Sequence, residues 1–124
     1  MNQLAIVIND QLTLQYDRDK PLPEHQKFYL QQLDEKFTQG IELQGESIAH
    51  PDIQQKARYM ALSLMEGIMY QEDAKAAVSM AWLATRLPDL KQVKAIVDEH
   101  GTQFDLIFDR EYQPHQVVDF KTLN

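Results

Sequence analysis

The groups that could do acid–base or metal chemistry in this chain are few and dispersed. His25, His50, His100 and His115 are its four histidines. None has the H-E-x-x-H spacing that sets two imidazoles on one helical face for a metal. Asp98, Glu99 and His100 are consecutive, but successive helical side chains diverge by about 100° and cannot converge on one ion. Asp105 and Asp109 share a strand face at a separation of about 13 Å, too wide for a carboxylate dyad. A Pro51-Asp52 pair followed by Asp73-Ala74-Lys75 has the letters of a metal-dependent nuclease pattern. That chemistry needs its acid and lysine on adjacent strand positions, and here both pieces fall at helix starts. Ser47, Ser63 and Ser79 have no base near them in sequence. The four glycines form no phosphate-cradling loop. If catalysis occurs, its candidates are His50, Asp52 and Glu66, with Tyr59, working as general acids and bases in a pocket between sheet and helices. No metal and no cofactor is expected.

Composition narrows the partners. The net charge is −7 over 124 residues. Residues 1–50 hold 4 basic and 8 acidic side chains, 51–100 hold 6 and 7, and 101–124 hold 2 and 4. No basic stripe exists to neutralise phosphates, which disfavours nucleic acid and an anionic membrane surface. Cysteine is absent, so thiol chemistry, disulfides and thiolate zinc sites are excluded. No window approaches the ~20 apolar residues of a membrane span, and the N-terminus lacks a basic signal-peptide start. A cytoplasmic protein is expected.

The elements that would position these groups are marked by three proline–acid pairs, Pro23-Glu24, Pro51-Asp52 and Pro88-Asp89. Proline suits the first helical position and an acid complements the helix dipole there. Residues 3–8 are a continuous apolar run rich in β-branched residues, suited to a strand buried on both faces. Asn9-Asp10 is a turn, and Leu12, Leu14 and Tyr16 alternate with polar residues as a second strand. Helices are predicted over 23–39, 51–70, 72–86 and 88–100, the last with Leu90, Val93, Ile96 and Val97 inward and Gly101 as its cap. Residues 42–50 read as a loop or short irregular strand. Phe104, Leu106 and Phe108 alternate as a final strand. The order ββααααβ specifies an α+β fold, a small antiparallel or mixed sheet with the first strand flanked by the second and the last. Residues 1–112 form one domain. Residues 113–124 are a tail, either an edge strand or disordered.

The second helix is rich in methionine. Ile53, Ala57, Met60, Ala61, Leu64, Met65, Ile68 and Met69 form one apolar stripe, while Tyr59 and Leu62 lie off it. Methionine fills cores and also lines adaptable binding surfaces. Tyr59, Leu62, Met69, Tyr70 and Trp82 are the expected interface residues. The expectation is a protein-binding module (adaptor, regulator or inhibitor) in which an apolar helical patch anchors and an acidic rim selects a partner that could be basic, with homodimerisation expected. A small enzyme using a sheet–helix pocket and a structural subunit of a larger complex are the alternatives.

Overall fold

The computed structural model describes residues 3–113. The expected tail lies, from residue 114 onward, outside the described residues. The chain opens with an antiparallel hairpin of β1 (Gln3–Ile8) and β2 (Gln11–Asp17). Asn9 and Asp10 make its turn at φ 51° and 66°, the left-handed geometry whose twist suits a two-residue hairpin loop. Helix α1 (Glu24–Phe37) follows, then a short ribbon of β3 (Ile41–Leu43) and β4 (Glu46–Ile48). Helices α2 (Ile53–Met69) and α3 (Asp73–Arg86) come next, and the hairpin of β5 (Gln92–Asp98) and β6 (Gly101–Ile107) is the last of the described elements.

The fold is α+β, with a mixed four-stranded sheet in the order β2-β1-β5-β6 beside the β3–β4 ribbon. Two expectations are corrected. The described residues hold three helices rather than four, and the element order is ββαββααββ. Residues 92–98 form strand β5, paired parallel to β1, so the neighbours of β1 are β2 and β5, not β2 and the last strand. The physical reason lies in β1. With Leu4, Ala5, Ile6 and Val7 all buried, it needs ladders on both sides to satisfy its backbone, and residues 92–95 of β5 supply the second. Pro88-Asp89 begins no helix, and Leu90 N–H closes a turn on the Leu87 carbonyl at 3.0 Å. Gly101, at φ +118°, closes the β5–β6 hairpin instead of a helix. A positive φ is wanted in either setting, so glycine there does not distinguish them.

The other proline signals mark helix starts to within a residue or two. Pro23 is the N-cap of α1. Pro51 stands just ahead of Asp52, the N-cap of α2, whose carboxylate accepts from Gln55 N–H at 2.8 Å while the Gln55 side chain accepts from Asp52 N–H at 2.9 Å. This reciprocal capping box satisfies two otherwise orphan donors.

The core lies between the sheet and the helices. Leu4 and Ile6 of β1 and Val93 and Ala95 of β5 meet Leu30 and Phe37 of α1, Met60 and Leu64 of α2, and Trp82 and Leu83 of α3. Ile41 and Leu43 bring the β3–β4 ribbon into the same core. Helices α2 and α3 approach closely at Gly67, where a Cβ would stand 2.7 Å from the Ala76 nitrogen. The opposite sheet face is crossed by residues 110–113. Gln92 Nε2 donates to the Arg110 carbonyl at 3.1 Å, and Val7, Gln92 and Tyr112 line one shallow depression there.

Candidate functional site

The residues expected to carry chemistry do not come together. His50 is exposed in the loop before α2. Asp52 is engaged in the capping box, a structural duty at the start of the same helix. Glu66 lies fourteen residues farther along, about 21 Å at the helical rise. It is exposed, and its Oε1 accepts from Lys75 Nζ at 2.7 Å. That hydrogen bond, ahead of the charge itself, raises the Lys75 ammonium above its ordinary value. His100 sits in the β5–β6 turn, where its N–H donates to Asp98 Oδ1 at 2.8 Å. Asp109 lies beyond the end of β6 and pairs with Arg110 at 3.1 Å, so Asp105 and Asp109 are not the strand pair expected. Among the described residues no three His, Asp or Glu side chains gather as a metal site would require.

The expected interface residues divide into three groups. Trp82 is 1% exposed and belongs to the core, which removes it from any free surface. Its ring meets Phe37 edge-on at 5.6 Å, and its indole N–H donates to Asp34 Oδ1 at 2.9 Å. Leu62 is half-buried and packs against the core. Met69 and Tyr70, at 51% and 70% exposure, stand free at the end of α2. Tyr59 is half-buried and lines a groove of about 390 Å³ together with Tyr29 and Leu33 of α1, Ser63 of α2, and Lys75 and Val78 of α3. Tyr59, Ser63, Glu66 and Tyr70 follow one another at i, i+4, i+7 and i+11, so a single stripe of α2 runs through this groove to its exposed end. Phe28 and Tyr29 stand exposed on α1, their rings 6.4 Å apart in a T-shaped pair. Acids rim the groove at Glu66 and Glu72, both close enough to act on Lys75.

Sequence reasoning missed the polar groups that fix this helix layer. Asp34 holds Trp82 through one oxygen and Arg86 through the other, the latter by Arg86 Nε at 3.1 Å. It also missed Arg18, whose guanidinium leaves β2 to donate to three carbonyls: Ala84 at 3.2 Å, Leu87 at 3.1 Å and Leu90 at 2.7 Å. Arg18 thereby caps the C-terminal end of α3. Burial lowers its pKa from the ordinary arginine value, and Glu111 and Asp89 oppose that shift. Asp34 lies 48 residues from Trp82, and Arg18 lies 66 from Ala84, so no local spacing signals either contact.

No described helix is long and apolar enough to cross a membrane. Comparison with protein-family models, curated proteins and solved structures finds no match to this chain.

Proposed function

We propose that this chain is a protein-binding module that engages its partner through the outer surface of the helix layer. The observation carrying this reading is the groove between α1, α2 and α3, lined by Tyr29, Leu33, Tyr59 and Val78, with Phe28, Met69 and Tyr70 exposed on the same helices. Large amphipathic rings at low entropy cost are what binding surfaces use as anchors. Of the ionisable groups beside the groove, Glu66 and Lys75 are already paired with each other. A general acid or base would need a free group poised toward a substrate. Glu66 and Glu72 supply the acidic rim, which favours a partner carrying basic side chains around an apolar centre. Association of two copies through this patch belongs to the same reading.

The test uses the tagged chain beside a Tyr29→Ser, Tyr70→Ser double variant, both checked for equal thermal stability. A partner recovered at 1:1 stoichiometry by the first and lost by the second is expected. Retention of that partner by the variant would sink the helical-patch reading. Light scattering over a concentration series reads self-association, which the same double variant should abolish.

A further inference from the structure

We propose that β6 is a second docking surface, one that takes an extended segment of a partner protein as a fifth strand of the sheet. The inference goes beyond the helical patch and does not depend on it. In the order β2-β1-β5-β6, the outer edge of β6 is unpaired among the described residues. An unpaired edge presents alternate N–H and C=O groups at strand spacing, and what satisfies it is another strand.

Specificity in strand addition comes from side chains that alternate to the two faces, and β6 has a groove on each. Val93 pairs with Leu106 and Ala95 with Phe104, all on the helix side. There Ile53, Ala57, Arg58, Leu106 and Phe108 line a groove of about 480 Å³. Arg58 lies 5.3 Å over the Phe104 ring and forms one wall. Lys94 pairs with Asp105 and Ile96 with Gln103 on the opposite face, where these residues with Ile107 and Arg110 line a depression of about 630 Å³. Ile53, Ile96 and Phe108 remain 48%, 54% and 45% exposed beside this edge.

Charge selects the occupant. Asp105 is exposed and forms no ion pair among the described residues, since Lys94 lies 3.7 Å from Asp10 and Arg110 pairs with Asp109. Asp98 and Glu99 add acid at the turn end of the strand. The fitting segment is therefore extended, apolar at alternate positions toward the helix-side groove and basic at those between, toward Asp105. A second copy fits less well, because the chain is itself acidic, at net charge −7, and its β6 carries no basic side chain to meet Asp105.

The probe is a blocked seven-residue peptide of alternating valine and lysine, matching the seven residues of β6. It is titrated into the full chain and followed by amide chemical shifts and hydrogen exchange. The expected result is saturable binding that shifts the β6 amides and slows their exchange. The valine–glutamate peptide should bind about tenfold more weakly, and so should a valine–lysine peptide with proline at its centre. Asp105→Lys should reverse the charge preference, with Asp105→Asn intermediate. Tyr29→Ser with Tyr70→Ser should leave peptide binding unchanged, which separates this surface from the helical patch. Three results would each overturn the proposal: shifts that map to the helices, a charge preference unaltered by Asp105→Lys, or β6 amides protected without peptide in a concentration-dependent way, which would assign the edge to a second copy.

Discussion

Strands β2 and β6 both end the sheet, but β2 carries an extra residue at Thr13, where its pairing with β1 shifts register, and β6 runs all seven residues against β5 without a break. Bulges twist an edge away from intruding strands. Arg18, at the end of β2, is tied to three carbonyls at the close of α3. From Gly101 to Ile107, β6 has no lysine and no proline, and its one charge is Asp105. Two shallow grooves flank β6, one on each face of the sheet. One edge is thus tied back into the fold, while the other is left regular and bordered by concave, partly apolar surface. Openness at β6 is not general looseness of the sheet, because the same sheet bulges and ties back its other edge.

The comparison can be broken most severely at Arg18. Arg18→Ala strips a charged donor from three carbonyls and is expected to cost about 2–3 kcal/mol in urea unfolding. A loss under about 0.5 kcal/mol, the usual surface value, would mean that β2 is not clamped at all. Next in size is Gly101→Ala. At φ +118° with open space around it, the cost is backbone strain alone, about 1–2 kcal/mol. Exchange of β6 amides should accelerate more than that of β1, since the hairpin loosens from its turn. Asp105→Asn should change stability by no more than about 0.5 kcal/mol while altering peptide selectivity, which separates the role of this edge in recognition from any role in folding.

The smallest effect concerns pH. Burial raises the Tyr16 hydroxyl above its ordinary value of 10.0, with Arg18 partly opposing it. The folded state therefore favours the neutral phenol. The stability from this source is fully present below about pH 10 and declines as pH rises through the folded value. Lys75, raised by the hydrogen bond it donates to Glu66, acts in the same direction. Tyr16→Phe should flatten the alkaline limb of a stability–pH curve without moving its neutral plateau. An unchanged limb would show that β2 titrates as an exposed strand does.

How much of this was legible in the sequence depends on the range of the interaction. The β1–β2 hairpin, α1, α2 and α3 were readable because Asn9-Asp10, the proline–acid pairs and the stripe from Ala57 to Met65 are local signals. Strand β5 was misread because Leu90, Val93, Ile96 and Val97 satisfy a helical period, and a run this short fits both templates. What decides it is the unpaired side of β1, far away in the chain. The ribbon β3–β4 was only half visible, since Gln44 adopts a φ of 51° that its residue type does not announce. In the candidate site, Tyr70 was marked by lying off the apolar stripe of α2, whereas Met69 lies on that stripe and its period does not distinguish core from surface. Trp82 did not reveal its burial, because its partner Asp34 belongs to another helix. The β6 edge escaped notice because an edge exists only once strand order is known.

The parallel pairing of β1 with β5 has a consequence in time. Ile6 waits for Val93, and the Asn9 side chain waits for Val97, 88 residues later, to which it both donates and accepts. At ribosomal speeds of about 5–20 residues per second, that interval is several seconds or more. Throughout it the most apolar strand of the protein can be paired on one side only. The nascent chain thus carries an adhesive segment from the synthesis of β1 until that of β5. Contacts of such sequence separation also slow refolding of the finished chain. A chain stopped before residue 92 would keep β1 uncovered along the side that β5 occupies, and such fragments are expected to aggregate where the full chain does not.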